Sequence, residues 1–405
     1  TIDEHDVVNI CYTSGTTGYP KGIMLTHLNY WTNAKDAVQL CNIPDGIFET
    51  LVMLPLDHSF AHTVGLYASL LRGITMHFVD ARGSNSAIIR NIPKNLVETH
   101  PYYLMTVPAL SGNFMKKIIS GVAQKGAFIN ALFQSGIQAG IRIKGDGFNP
   151  VSLGTRIRNF FPYWLASVLV FPKIRNIFGD RIQFCIGGGA LLEIKQQQFF
   201  AALGVPIYQG YGLTEAAPII CSNSADKHKF GTSGVVAPSI TCRIMKSEDE
   251  EAAAGERGEI VIKGSNVMKG YFKNPEATKE TLRDGWLWTG DLGYIDEDGF
   301  LVVTGRAKAL LIAPDGEKYS PEEVEEAVIN NSEYINQIMV YNDHRVFTSA
   351  LITLQTERVA QAVEAKGLKT ARQVVELIEK DLLAFKELEP GRIPIQWIPA
   401  AFEII

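Results

Sequence analysis

Short apolar runs alternate with longer stretches of helical spacing along the first half of the chain. Val7–Tyr12 is the first such run, and a helix is predicted from Leu28. Leu51–Leu56, Ile74–Val79 and Tyr102–Val107 read as buried strands with helical patterns between them, and Arg181–Ile186 and Pro206–Tyr208 resume the alternation. Strand–helix alternation of this kind predicts parallel sheets. From Gly231 onward the pattern turns β-rich: an acidic turn at Glu248–Glu251 precedes the run Gly258–Gly264, and residues 299–304 form a last strand. A polar stretch begins near Gly305–Lys308, and Pro321-Glu322-Glu323-Val324-Glu325 starts a helix with proline in its first turn. The expected fold class is α/β. A large portion of several subdomains, with parallel sheets and a β-rich part at 231–304, occupies 1–304; a hinge falls at 305–308 and a small α+β domain at 309–405.

Residues 116–181 differ in charge from their surroundings. They hold ten Lys or Arg against two Asp and no Glu, a net of +8, with Phe128, Phe133, Phe160, Phe161, Tyr163, Trp164 and Phe171 interleaved. Two readings stay open: a helical subdomain with a solvated basic face, or a surface that meets anionic lipid or an acyl chain.

Composition narrows the class. A chain of 405 residues is too long for one compact core and implies two or three domains. Its 46% hydrophobic and 20% charged residues are ordinary for globular proteins. The net charge of −5 argues against bulk nucleic-acid binding. Five scattered cysteines without CxxC spacing indicate neither a disulfide framework nor a zinc site, so a reducing compartment is expected. No apolar run is long enough to span a bilayer, and the opening Thr-Ile-Asp-Glu-His-Asp is no signal peptide.

The richest chemistry sits directly after the first strand. Thr13-Ser14-Gly15-Thr16-Thr17-Gly18-Tyr19-Pro20-Lys21-Gly22 offers exposed backbone N–H groups and hydroxyls that can surround phosphate oxygens, and Lys21 adds a positive charge. It is not a Walker A loop, because Gly22 stands where Ser or Thr would hold Mg²⁺. A loop of such composition can also be an ordinary turn; its order is what makes it specific.

With that order, the chain resembles the adenylate-forming superfamily, which includes acyl-CoA synthetases, firefly luciferases and the adenylation domains of peptide synthetases. Further matches follow in sequence: Leu54-Pro55-Leu56-Asp57-His58, Gly188-Gly189-Ala190, Tyr211-Gly212-Leu213-Thr214-Glu215, Trp288-Thr289-Gly290-Asp291-Leu292, Gly305-Arg306-Ala307-Lys308, and Gly316 with Ser320–Glu325. The resemblance covers essentially the whole chain. It implies catalytic roles for Thr13, Lys21, Thr214, Glu215 and Lys308. It implies a nucleotide site of Ser14, Gly15, Thr16, Thr17, Gly18, Gly189, Ala190, Gln209, Gly210, Tyr211, Gly212, Asp291 and Arg306.

The residue types suit those roles. A Tyr211 ring can stack on adenine, and Thr214 can hydrogen-bond an α-phosphate. Glu215 is a hard anion suited to Mg²⁺ bridging phosphates. Asp291 can accept both ribose hydroxyls, although an Asp beside a glycine also makes Asx-turns. Arg306 can pair with phosphate or ribose oxygens, and Lys308 occupies the hinge position. His58 and Gly316 resemble positions along the acyl and CoA path, with a structural histidine as the plain alternative for His58.

The implied activity is ATP-dependent formation of acyl-AMP with release of pyrophosphate, then transfer of the acyl group to CoA. The length of the segment between Val107 and Phe184, and Lys173–Gly179 ahead of Gly187–Leu192, are similar to bacterial long-chain fatty acid:CoA ligases. Transfer to an acyl-carrier protein or a lipid, and a nucleotide- and acyl-binding protein without turnover, remain open alternatives. Implied co-substrates and cofactors are ATP, CoA and Mg²⁺. A cytoplasmic location is expected, with peripheral contact to the inner face of the membrane through 116–181; the resemblance also allows a homodimer. The chain has no initiator Met and reaches the phosphate loop within fifteen residues, so it reads as a fragment lacking its start. Family members carry a catalytic lysine in a segment that should begin about where Phe402-Glu403-Ile404-Ile405 ends. The expectation is therefore that residues 1–405 alone adenylate poorly while retaining part of the thioester step.

Overall fold

The computed structural model describes residues 1–405 except 14–19, 44, 47, 83–84, 308–310, 313–317, 320, 343–344 and 389–392. The chain divides into two compact units, residues 1–289 with 293–303, and residues 290–292 with 304–405.

The first unit opens with an antiparallel hairpin, β1 (Val7–Thr13) and β2 (Lys21–Thr26). This differs from the parallel pairing expected of the first strand: β1 is followed not by a crossover but by a short loop, which can only return the chain antiparallel. Helix α1 (His27–Leu40) follows without a break. Thr26 caps it, its hydroxyl accepting from the Asn29 N–H at 3.2 Å while the Asn29 carboxamide accepts from the Thr26 N–H at 2.8 Å.

Strand β3 (Glu49–Val52) ends earlier than the apolar run Leu51–Leu56 predicts. Pro55 has no N–H to give a ladder, and the chain leaves the sheet before it. A π-helical turn Ala61–Tyr67, helix α2 (Ala68–Arg72), β4 (Thr75–Phe78), α3 (Asn85–Thr99) and β5 (Tyr103–Thr106) come next. The basic segment is helical: α4 (Pro108–Ala123), α5 (Ala127–Lys144), α6 (Leu153–Leu169) and α7 (Phe171–Arg175). Strand β6 (Phe184–Gly187), α8 (Ile194–Leu203), β7 (Ile207–Gly212), β8 (Ile219–Ser222) and β9 (Val235–Val236) complete a seven-stranded sheet of order β4-β3-β5-β6-β7-β8-β9. It is parallel from β4 to β7 and antiparallel from β7 to β9. Every residue of β5 and β6 is buried, as strands covered on both faces require.

Helix α5 packs between α6 and α8. Its Gly136 has no Cβ because one would lie 2.1 Å from the Ala166 Cβ of α6, so the close approach of the two helices needs glycine there.

The β-rich part holds β10 (Ile240–Met245), β11 (Gly258–Gly264), β12 (Gly270–Tyr271), α9 (Pro275–Thr281), β13 (Leu282–Arg283), β14 (Trp286–Ile295) and β15 (Leu301–Arg306). Strand β12 leaves that sheet and joins the opening hairpin, giving the order β1-β2-β12. In the second unit lie β16 (Leu311–Ile312), β17 (Lys318–Tyr319), α10 (Pro321–Asn331), β18 (Ile335–Tyr341), β19 (Thr348–Leu354), α11 (Thr356–Lys366), α12 (Ala371–Leu382), α13 (Phe385–Leu388) and β20 (Pro399–Ile404). Its three-stranded sheet β18-β19-β20 covers a core that includes Val324, Val328, Ile352 and Ile378.

Two asparagines stitch the first unit together. Asn29 donates to the carbonyls of Ser265 and Val267, both at 2.8 Å. Asn33, fully buried, donates to the Ile219 carbonyl at 2.7 Å and accepts from its N–H at 3.0 Å. Asn33→Ala leaves both backbone groups of Ile219 without these side-chain partners in a dry core. It should cost about 2–4 kcal/mol, measured by urea denaturation at unchanged m-value. A loss below about 0.5 kcal/mol would show that the pairing is incidental.

Candidate active site

The ends of the Ser14–Tyr19 loop are held by strand pairing. Thr13 sits opposite Lys21, and Tyr12 opposite Gly22. Ser14, Gly15, Thr16, Thr17 and Gly18 lie outside the described residues, as do Lys308 and Gly316. What the structure does place is the base of the loop. Lys21, first residue of β2, carries its Nζ 5.0 Å from the centroid of the Tyr271 ring, within cation–π reach. The Tyr271 hydroxyl in turn donates to Glu215 Oε1 at 2.9 Å.

Lys21, Tyr271 and Glu215 thus form one chain of contacts drawn from three places in the sequence. Tyr271 is buried, and burial together with the Glu215 charge pushes its phenol well above the ordinary tyrosine range, so it remains an O–H donor. No partner of Glu215 Oε2 is found among the described residues. Lys21 stands on an antiparallel strand of the small sheet β1-β2-β12, not at the carboxyl end of a parallel strand, whereas Glu215 follows β7, which pairs with β6 in parallel.

Glu215 sits in a short 3₁₀ turn, Thr214–Ala216. Buried Thr214 shares a 3.2 Å hydrogen bond between hydroxyls with buried Ser59. The neighbouring His58 is exposed, and its Nδ1 accepts from the Phe60 N–H at 3.2 Å. The Cys11 Sγ lies 3.6 Å from the Asp57 carbonyl oxygen. Burial, then the Asp57 and Glu215 charges, push the Cys11 thiol up, which keeps it protonated and unreactive.

The Gly188–Ala190 turn follows β6. Gly189 takes φ 85°, and the Ala190 carbonyl accepts from Gln209 Nε2 at 3.1 Å. Gln209 also donates to the Gly210 carbonyl at 2.9 Å, while its buried Oε1 has no partner among the described residues. A buried acceptor left open costs free energy unless something donates to it; an amino group such as that of adenine has the right chemistry. Tyr211 pairs with Cys221 across β7 and β8, and Gly212 is required because a Cβ there would lie 2.0 Å from the Pro218 carbonyl oxygen.

Asp291 and Arg306 come together in the second unit. Asp291 is buried, and Arg306 Nε donates to its Oδ1 at 3.0 Å. Gly290, at φ 73°, makes the preceding turn.

Tyr271 and Ser59 carry no sequence signal of their own. Tyr271 belongs to a two-residue strand before the Asn274-Pro275 helix start, and Ser59 to a turn next to His58. Only their positions reveal them. Among the described residues no cluster of three or more His, Cys, Asp or Glu side chains could hold a metal by itself. A single carboxylate with one oxygen engaged and the other open suits Mg²⁺, which binds through one or two carboxylates together with substrate phosphates.

Residues 1–272 match the family described as AMP-binding enzyme, and residues 308–397 match the AMP-binding enzyme C-terminal domain. The human long-chain-fatty-acid--CoA ligase ACSBG1 is 30% identical over 94% of this chain and 53% of its own length. The long-chain-fatty-acid--CoA ligase of Bacillus subtilis (strain 168) is 30% identical over 96% of this chain and 58% of its own. The chain thus spans somewhat more than half the length of these curated relatives. Among solved structures, the O-succinylbenzoate Coenzyme A Synthetase (MenE) from Bacillus subtilis superposes over the whole chain and about two thirds of its own. In complex with AMP its TM-score is 0.69 at 22% identity, and in complex with ATP and magnesium ion 0.67 at 23%, a likeness of fold.

The Tyr271–Glu215 hydrogen bond should be measurable without any ligand. In a double-mutant cycle of Tyr271→Phe and Glu215→Leu, followed by urea denaturation, the coupling energy should be about 1–2 kcal/mol. A coupling indistinguishable from zero would show that the carboxylate is held elsewhere.

Proposed function

The chain belongs to the AMP-binding enzyme family, and from that premise we propose that it activates a long-chain fatty acid at the expense of ATP and passes the acyl group to CoA. The observation that carries the reading is the chain of contacts Lys21–Tyr271–Glu215 at the base of the Ser14–Tyr19 loop. It brings a cation and a carboxylate together where the chain enters β2, directly after the Gly-, Ser- and Thr-rich segment whose backbone N–H groups can cradle phosphates. Long-chain specificity rests on the named relatives and on the helical segment α4–α7.

In the first step a carboxylate oxygen of the acid attacks the α-phosphorus of ATP. The new O–P bond makes the acyl-AMP anhydride, the bond to the bridging oxygen breaks, and pyrophosphate leaves. Negative charge grows on the phosphate oxygens, so donors already aimed there stabilise the transition state. Lys21 supplies one cation, Thr214 a hydroxyl, and the loop its N–H groups. Mg²⁺, when held by Glu215, supplies charge neutralisation at the phosphates. Tyr271 positions the Glu215 carboxylate by occupying one oxygen and leaving the other for the metal. By the family resemblance, Gln209 and Tyr211 are assigned to adenine, and Asp291 and Arg306 to the ribose. In the second step the CoA sulfur attacks the acyl carbon, the C–S bond forms as the C–O bond to AMP breaks, and the thiol proton goes to solvent. His58, Lys308 and Gly316 belong to that path.

ATP–pyrophosphate exchange by the full-length protein, with acetate, o-succinylbenzoate and palmitate in turn, tests the reading. Palmitate should support exchange and, with CoA, form AMP and a thioester. Glu215→Ala and Lys21→Ala should each lower exchange by a factor of about 10²–10³, and chelation of Mg²⁺ should abolish it. Exchange with acetate or o-succinylbenzoate but not palmitate would overturn the chain-length assignment. No exchange with any acid would overturn the activity.

A further inference from the structure

Helix α6 is amphipathic twice over. At about 100° per residue, Asn159 and Ala166 fall on the side that packs against α5, and both are buried. On the opposite side Leu153, Ile157, Phe160, Phe161, Trp164 and Val168 form one apolar stripe the length of the helix, each between 47% and 72% exposed. Arg156 and Arg158, both exposed, flank that stripe on its two sides. A continuous stripe of large apolar side chains on an outer helix is not the scatter of single exposed apolar residues normal for protein surfaces, and it marks an interaction face.

Charge identifies the partner. The segment 116–181 carries +8 within a chain of −5, so the remainder is acidic and the cations are concentrated around this one helical layer. Of the ten basic side chains, none makes an ion pair among the described residues, and all but Arg175 are exposed. A second copy docked through the same face would set two +8 surfaces against each other. An anionic bilayer removes that conflict: aromatic and aliphatic side chains enter the boundary between headgroups and acyl chains, while Arg and Lys reach lipid phosphates on either side. No described helix is long and apolar enough to cross a membrane, so α6 would lie on the surface rather than span it.

We propose that the Leu153–Val168 face of α6 is an interfacial docking surface for an anionic phospholipid bilayer. This inference is independent of the acid-activation reading: it requires neither ATP nor an acyl substrate, and the two can fail separately.

Co-sedimentation of the full-length protein with vesicles tests it. Phosphatidylcholine vesicles with about 30% phosphatidylglycerol should carry the protein down at low salt, and much less so at high salt, because the cations act through a screened field. Phe160→Ser with Trp164→Ser should weaken the partition coefficient by at least about tenfold, with an unchanged far-UV circular dichroism spectrum, since both side chains are exposed. Arg156→Gln with Arg158→Gln should lower it by roughly fivefold per cation removed and flatten the salt dependence. Equal sedimentation of the Phe160/Trp164 variant, or binding to pure phosphatidylcholine as strong as to the anionic vesicles, would overturn the proposal. So would failure of the wild type to sediment at low salt, or a dimer in analytical ultracentrifugation that the Phe160/Trp164 variant dissociates.

Discussion

The turn Leu213–Ile219 is largely buried, and a buried turn has to find a partner for each of its backbone polar groups. Its neighbours supply them from far along the chain. The Leu213 N–H donates to the Pro218 carbonyl at 3.0 Å, closing the turn on itself. Met268 N–H reaches the Glu215 carbonyl at 2.8 Å, Asn266 the Ala216 carbonyl at 2.8 Å, and Thr63 the Ala217 carbonyl at 2.8 Å, while Asn33 holds both groups of Ile219. Each bond alone is worth about 1 kcal/mol, but leaving any of these groups bare costs more than its bond contributes. The helix α1, the π-helical turn and the approach to β12 are therefore tied to one place by the polar demands of one turn.

The site inherits its geometry from that requirement. Met268 pairs with Glu215 only three residues before Tyr271, so the same segment that satisfies the turn also delivers the phenol to the Glu215 carboxylate. Strand β12 pairs Tyr271 with Ile23, two residues beyond Lys21, and so sets the ring beneath the lysine ammonium. A polar triad is thus assembled by backbone pairing and not by attraction between the charged groups. The order matters: a carboxylate and a lysine free to collapse on each other would form an ion pair, whereas here the Tyr271 ring stands between them, meeting the ammonium with its face and the carboxylate with its hydroxyl.

The outer layer obeys a different logic. Helix α5 is spent twice in packing, against α8 on one side and α6 on the other, with Gly136 allowing the second contact. Nothing among the described residues performs the same service for the far side of α6. The interior is thus governed by polar satisfaction and close packing, while the basic helical layer is governed by what it presents outward.

Local order determined a good deal. The runs in β5 and β6 are largely apolar, and such runs have few structural options other than a buried strand. The loop between Thr13 and Lys21 was legible from its Gly, Ser and Thr spacing, and the concentration of cations in 116–181 is a matter of counting. Glu215 was singled out by the order of the motifs in the resemblance. What required the folded chain was every pairing across distance. The return of β1 on β2, the addition of β12 some 250 residues later, the bond from Tyr271 to Glu215 and the one from Ser59 to Thr214 leave no mark in any local window. The same holds for which side of α6 faces out: its large apolar side chains form the outer stripe, and the close approaches of Ala166 to Gly136 and Tyr163 to Gly140 decide which side is packed. Hydrophobic period and turn chemistry act between chain neighbours and so can be read in order; register, close packing and hydrogen-bond satisfaction act between residues that only tertiary structure makes neighbours.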